Sequence, residues 1–549
     1  MTKFVVVVGG VISGVGKGVT TASVGKIFKE HGFSTTLIKI DPYINFDAGT
    51  LRPTEHGEVW VTDDGGEIDQ DLGTYERFMD QDIPKQNNIT TGQIYKTVID
   101  KERRGEYLGE TVQFIPHIPD EIIRRIKEAS EGFDIAIIEI GGTVGDYENV
   151  PFLFALKALE RDLGADSFVY MLVTYLPIPS HISEMKTKPT QQAIKLLRQE
   201  GVTPDFIICR GKQALDDIRK KKIETYLHID SEYVISAPDV DTIYQVPLDL
   251  EQEQMGKKIL GKLKLTSKKQ PDWHSWQSLV HALKYPANRV RVAIVGKYLD
   301  TGDFSLTDSY VSIYQALIHA GASLNTGIDI VWIDAKRYEK DDTLLSDLLQ
   351  FNGIVIPGGF GNAGTEGKIK VLHYARVNNI PCIGLCYGLQ LSIIEFARNV
   401  CNLPHAHSTE VNPQAIDPVI DILPLQKQIL AESEYGGSMR LGSYTAQIRD
   451  DSKVYDLYAQ HNRLHNNTIQ ERHRHRYEVN PAYIERLEAQ GIMFSGFHTR
   501  KDGTKLVEFA EFPNHPFFVT TQAHPEFKSR LGNPSPLFYG FVQACVHHQ

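Results

Sequence analysis

The chain predicts an α/β protein built as two open, mostly parallel α/β domains in series. Three features predict it. Its 549 residues exceed what one hydrophobic core usually holds. Short apolar runs alternate with helix-like stretches through the first half, the pattern of a parallel sheet wrapped by helices. After a polar, irregular stretch at 266–288 the same alternation begins again. We therefore expect one domain over 1–265, a linker over 266–288 and a second domain over 289–549.

In the first half the expected strands are 4–8, 36–40, 135–140, 168–174, 206–209 and 233–236, with helices such as 120–130 and 190–200 between them. Polar loops from 41 to 71 are too long for mere connections, and loops of that length are usually functional. In the second half, RVRVAIVG opens a new sheet that IDIVWID, GIVIPGG and IPCIGLC continue. Ligands of such sheets bind at the carboxyl ends of the strands.

Composition sets outer limits. With 58 basic and 69 acidic residues the net charge is −11, against bulk nucleic-acid binding. Five cysteines without metal-ligand spacing point to a reducing, cytoplasmic setting. The apolar run at 4–8 is too short for a signal peptide or a membrane span, and no later run reaches spanning length.

The first strand leads into Gly9-Gly10 and then Ser13-Gly14-Val15-Gly16-Lys17-Gly18. Glycines let backbone N–H groups approach phosphate oxygens, the following helix presents its positive end, and Lys17 adds a charge. The match to a P-loop is imperfect: Val11 holds the first glycine position, and Gly18 stands where Ser or Thr is expected. Glu139, closing the strand DIAIIEI, and Asp71, in an acidic loop, are candidate Mg²⁺ ligands, since that ion takes one or two carboxylates plus phosphate and water. Alternatively, both are ordinary polar residues at a strand end and in a loop. Lys186, Thr187, Lys188, Pro189, Thr190 and Gln191 precede a helix and form either a second anion site or a solvated charged loop.

The second half carries different chemistry. Gly384-Leu385-Cys386-Tyr387-Gly388 has the shape of a nucleophile elbow with cysteine in the serine position. A thiol is mostly protonated at neutral pH and needs a base; His524 and Glu526 of QAHPEF supply a base and its orienter. The glycines of PGGFG (357–361) end another strand and can turn N–H groups toward an oxyanion. Unless the glycine loop is only a strand–turn–helix and Cys386 only a core residue, one half is expected to handle a nucleoside triphosphate and the other to open an amide.

At these residues the chain resembles the CTP synthase family over essentially its whole length. The resemblance rests on GGVISGVGKG, DPYIN, EHGEV, DLGTYERF, ERRGEYLG, IEIGGTVGD, KTKPTQ, DVDTIY, GLCYGLQ, HSTE, GSMRLG, RHRHRYEVNP and QAHPEF. The second half alone is similar to a class I glutamine amidotransferase. The resemblance implies ATP-dependent amination of UTP to CTP with ammonia from glutamine. It implies ATP at Gly14, Val15, Gly16, Lys17, Gly18, Val19, Asp71, Asp239 and Val240, with Mg²⁺ held by Asp71 and Glu139. UTP falls to Ser13, Lys186–Gln191 and Lys222, and inhibitory CTP to some of these with Asp146, Tyr147 and Glu148. Glutamine falls to Gly359, Phe360, Tyr387, Gly388, Leu389, Gln390, Glu410 and Arg476. It also implies GTP activation through a lid at 437–442, an ammonia gate near His56 and Val59, and a homotetramer without nucleic-acid or membrane partners. Departures from the family pattern are DAGTLRP at 47–53, Ser438, and Pro238 where a basic residue often serves the ATP site. Competing readings are an amidotransferase of cobyrinic acid diamide synthase type, which activates a carboxylate, and a partition-type ATPase or filament scaffold with a decayed glutaminase.

Overall fold

The computed structural model describes residues 1–52, 57–181, 184–297, 300–301, 304–305, 307–422 and 439–548; the side chains of 227, 300–301, 304–305 and 307–308 are excluded. His56 and residues 437 and 438 of the expected lid lie outside the described residues. The chain forms two compact units, Met1–Thr50 with Gln70–Val280, and Leu51–Asp69 with His281–Gln549.

The first unit is built on a seven-stranded, all-parallel sheet. Its order is Asn88–Thr90, Thr35–Asp41, Ile135–Ile140, Lys3–Gly9, Phe168–Tyr175, Phe206–Gly211, Val234–Pro238. Helices cover both faces, so strand residues such as Val5, Val6 and Val7 are fully buried. That double burial makes the strands continuous apolar runs rather than alternating ones. Lys3–Gly9 lies between two strands formed later in the chain, so the connections diverge at its carboxyl end and open a crevice there.

The second unit has a nine-stranded sheet. Thr326–Asp334, Asn288–Gly296, Gly353–Ile356, Cys382–Leu385 and Phe518–Thr521 run parallel. Lys505–Glu511, Met493–Thr499, Arg440–Ile448 and Thr468–His475 extend the sheet antiparallel. The parallel part positions the chemistry.

Two details differ from the sequence reading. The expected linker is not irregular throughout: His274–Lys284 is a helix. Its Trp276 and Val280 are buried, and the Trp276 indole N–H donates to the Tyr244 carbonyl (2.8 Å), so apolar burial holds it to the first unit. The long polar loop at 41–71 is also divided. Its stretch Leu51–Asp69 belongs to the second unit and contains an antiparallel hairpin, Val59–Val61 with Glu67–Asp69. Among the described residues, no helix is long and apolar enough to cross a membrane.

Candidate active sites

In the second unit three adjacent parallel strands each deliver one part of a site at their carboxyl ends. Cys382–Leu385 ends in Cys386, held at φ 51° and ψ −99°, a conformation non-glycine residues rarely adopt. The turn needs small neighbours. A β-carbon at Gly384 would lie 2.8 Å from the Thr520 methyl and 3.0 Å from the Gly388 backbone, and one at Gly388 would overlap the Ile356 carbonyl. We expect Gly388→Ala to lower stability by about 1–3 kcal/mol in a thermal melt, because the added methyl overpacks the Ile356 backbone.

The neighbouring strand Gly353–Ile356 runs into Pro357–Gly361. A β-carbon at Gly358 would lie 3.1 Å from the His524 ring and 3.6 Å from Cys386 Cβ, so this loop borders the nucleophile directly. Gly359 takes φ 152°. The other neighbour, Phe518–Thr521, leads to His524, whose Nδ1 lies 2.7 Å from Glu526 Oε1. Cys386, His524 and Glu526, with Glu58, Gly359 and Arg474, line one cavity of about 110 Å³. Glu58 is a contributor that the sequence reading missed, because it lies more than 300 positions upstream of Cys386.

Burial works to lower the His524 pKa, but the Glu526 carboxylate and the Cys386 sulfur outweigh it and push it up to about 10. An imidazolium beside the sulfur favours the reactive thiolate. Since the ordinary value is 6.5, the charged form stabilises the fold fully below that pH, and the contribution fades as pH rises through about 10. Glu526→Gln removes the carboxylate that raises it. The stability gap between the two proteins should be widest at about pH 6 and narrow toward about pH 10, read by melts across that range.

Around this core lie the expected glutamine contacts. Glu410 Oε1 accepts from the Gly361 N–H (3.0 Å), and Glu410 and Arg476 both act electrostatically on Tyr477. Phe360 is exposed. Gln390 is buried, donating to the Tyr477 carbonyl (3.0 Å), and Leu389 is fully buried. The Tyr387 side chain is buried. Its ring is 1% exposed, between Lys297 (4.9 Å) and Lys368 (5.8 Å), and its hydroxyl meets Thr365 (2.9 Å). What Tyr387 can offer a substrate is its backbone N–H, in the first turn of the helix Tyr387–Asn399.

In the first unit the loop after Lys3–Gly9 turns through Gly14 (φ 70°) and Gly16 (φ 85°) into the helix Lys17–Glu30. Lys17 Nζ donates to the Gly142 carbonyl (2.6 Å), and a β-carbon at Gly9 would lie 2.7 Å from that ammonium. Desolvation lowers the Lys17 pKa, opposed by Glu139 and Asp71. Asp71 and Glu139 converge over the first helical turn: a β-carbon at Gly18 would be 2.6 Å from Asp71 Oδ1 and 3.8 Å from Glu139 Oε2. Glu139 is buried and bonded by the Tyr75 hydroxyl; desolvation, then Asp71, raises its pKa to about 7. A buried carboxylate beside a half-buried one, their charges repelling, is the donor set a divalent cation stabilises. Among the described residues no group of three or more His, Cys, Asp or Glu is arranged to hold a metal.

Lys39 completes this pocket: its ammonium pairs with Asp41 (3.0 Å) and Asp71 and lies 4.0 Å from Glu139. Sequence reading missed it, although a lysine near the end of the apolar strand TTLIKID is a visible signal. It also missed Arg210, whose guanidinium reaches the Pro238 carbonyl (3.2 Å) and Asp239 (3.1 Å) and lies about 3.5 Å from where a Gly16 β-carbon would be. A basic group therefore stands beside Pro238 after all, supplied by the neighbouring strand; Val240 follows, half-buried.

The second anion site is consistent with the fold. Thr187 precedes the helix Lys188–Gln199 without a side-chain capping bond, Pro189 sits in its first turn, the Gln191 side chain donates to the Thr187 hydroxyl (3.2 Å), and Thr190 meets Thr174 (3.1 Å). A β-carbon at Gly10 would lie 3.1 Å from the Thr174 hydroxyl, so this helix start and the loop bearing Ser13 meet at adjacent strand ends. Lys186 pairs with Glu184, which also feels Lys222 from the exposed face of Asp217–Leu227. Asp146 accepts from the Thr143 N–H (2.6 Å) and lies within electrostatic reach of Lys17; Tyr147 is 85% exposed and Glu148 is exposed.

Comparison with known proteins accounts for both halves together. Residues 3–265 match the CTP synthase N-terminus, and residues 305–544 match glutamine amidotransferase class-I. Over its whole length the chain is 48% identical to the CTP synthase of Pyrococcus furiosus, covering 100% of this chain and 99% of the relative. The chain belongs to the CTP synthase family. With the CTP synthase of Methanocaldococcus jannaschii it shares 49% identity over 99% of this chain and 98% of that one. A solved glutaminase domain of Trypanosoma brucei CTPS, with bound acivicin, is 35% identical at TM-score 0.43, over 47% of this chain and 95% of its own. As a family member the protein is a glutamine-hydrolysing, ATP-dependent ligase, and the match at 3–265 decides against the carboxylate-amidating and scaffold readings.

Proposed function

We propose that the two sites divide one amination. In the second unit the Cys386 thiolate attacks the amide carbon of glutamine, and His524, oriented by Glu526, passes its proton to the departing ammonia. The oxyanion is met by backbone N–H groups of the 357–361 loop and of Tyr387. Water deprotonated by His524 then frees glutamate. Gly359, Phe360, Gly388, Leu389, Gln390, Glu410 and Arg476 frame the substrate.

In the first unit ATP lies on residues 14–19 with Asp239 and Val240, and UTP on Ser13, residues 186–191 and Lys222. The γ-phosphoryl group moves to O4 of the uracil, ammonia adds at C4, and phosphate leaves. Lys17 and Lys39 hold the charge that develops on the transferring group. Mg²⁺, when bound, supplies further positive charge there, and Asp71 and Glu139 would hold it. Ammonia is handed over without release to solvent, since water would protonate it and hydrolyse the phosphorylated ring.

The observation that carries this reading is the delivery of Cys386, the glycine loop and the His524–Glu526 pair by three adjacent strand ends. CTP bound through Asp146, Tyr147 and Glu148 would inhibit, and GTP would activate near 437–442. Family likeness implies a homotetramer, and exposed apolar side chains on three neighbouring helices of the first unit, among them Ile99, Phe114, Ile115, Val150 and Phe154, would suit a contact between copies. A cytoplasmic setting suits five free cysteines. Purified protein given UTP, ATP, Mg²⁺ and glutamine should form CTP, followed by cytosine absorbance; unconverted UTP alongside an amidated carboxylate would contradict the proposal.

A further inference from the structure

The hairpin Val59–Val61 with Glu67–Asp69 belongs to the unit that holds Cys386, although it is drawn from far upstream. Its turn is fixed locally: the Gly66 N–H donates to the Thr62 hydroxyl (2.8 Å), and that hydroxyl donates to Asp64 (2.6 Å). Asp63 at the tip is held by its backbone, whose carbonyl accepts from the Ser443 N–H (2.8 Å). The approach is close enough to require glycine. At Gly442 (φ 93°) a β-carbon would lie 2.7 Å from the Asp63 carbonyl, and at Gly65 (φ 77°) one would lie 3.2 Å from the Leu441 carbonyl.

The Asp63 carboxylate then bridges two segments. One oxygen accepts from Arg472 Nε, and the other from Lys528 Nζ (2.9 Å). Arg472 is fully buried, its guanidinium also donating to the Val61 carbonyl (3.0 Å) and lying 5.3 Å from the Trp60 ring centre. Its own carbonyl accepts from the His524 N–H (2.8 Å). Lys528 closes the short helix Pro525–Lys528, which carries Glu526. Between them Phe527 is sandwiched, 5.0 Å from Trp60 and stacked on His524 at 5.1 Å.

We infer that Asp63 is a positioning residue for the thiol-dependent hydrolysis: one carboxylate ties the strand that fixes the His524 backbone to the turn that carries Glu526. Asp63 touches no reacting atom. Its charge answers a guanidinium that is fully buried, where weakening an ion pair costs more than at the surface. The two cations outweigh burial and hold the Asp63 carboxyl below its usual range. The inference rests on the reading of Cys386, His524 and Glu526 as the hydrolytic triad.

The test compares Asp63→Asn and Asp63→Glu in the full chain, with glutamine and with ammonia as nitrogen source. Asp63→Asn should lower kcat for glutamine hydrolysis by about 10- to 100-fold through a displaced imidazole, with KM for glutamine and ammonia-driven synthesis unchanged. Asp63→Glu, which keeps the charge, should recover most of the loss. An unchanged kcat, a loss confined to KM, or an equal loss with both nitrogen sources overturns the inference. Should Asp63→Asn fail to accumulate, Lys528→Met leaves the Asp63–Arg472 pair and must still show a smaller loss in kcat; no loss overturns the inference. Cys386→Ala separates the two readings. If it still hydrolyses glutamine, the triad falls and the inference with it; if it does not and Asp63→Asn is unaffected, the inference falls alone.

Discussion

Cys386→Ala should abolish glutamine-dependent CTP formation, by about a thousandfold or more, and leave formation from added ammonia close to the unsubstituted rate. On the proposed mechanism the effect is large because the Cys386 sulfur forms the covalent intermediate, a role neither His524 nor Glu526 can take. The ammonia rate should survive because the substitution is small and local. Residue 386 sits at a strained turn whose flanking glycines, not its side chain, permit the crossing of strand and helix. Steady-state rates with each nitrogen source check this; loss of both together would contradict the division of labour.

Lys17→Ala should remove synthesis with either nitrogen source, by about 100- to 1,000-fold in kcat. Its ammonium is anchored on the Gly142 carbonyl beside Asp71 and Glu139, at the carboxyl end of the strand bordering the crevice. Burial lowers the proton affinity of Lys17, so the site spends stability on holding that charge. Glutamine hydrolysis without UTP should be unchanged, because every triad contact lies in the other unit. Ammonia-driven synthesis at the unsubstituted rate would remove Lys17 from the phosphate site.

Much of this was legible in the sequence because burial writes itself into composition. Strands covered on both faces, such as Lys3–Gly9 and Ile135–Ile140, have to be apolar throughout, and both were read within a residue or two. The elbow was legible for a steric reason, since the close approaches at Gly384 and Gly388 leave no choice of residue. The antiparallel strands beyond Phe518–Thr521 were not read. Arg440–Ile448 and Thr468–His475 alternate buried with partly exposed positions and carry buried charges, among them Arg440 between Glu478 and Glu508. Polar pairs of that kind mask a strand in any hydrophobic pattern. The hairpin at 59–69 was taken as loop because each strand is three residues long and its partners, Arg472 and Lys528, lie some 400 positions away. Lys39 and Arg210 were missed similarly: a single charge at a strand end has meaning only beside the carboxylates that face it.

The most direct test supplies glutamine labelled with heavy nitrogen at the amide, together with UTP, ATP and Mg²⁺, and follows the label by mass spectrometry of the product base. The label is expected in the exocyclic amino group of CTP, at the enrichment of the donor. Unlabelled CTP, with the heavy nitrogen recovered only as free ammonia, would contradict the account.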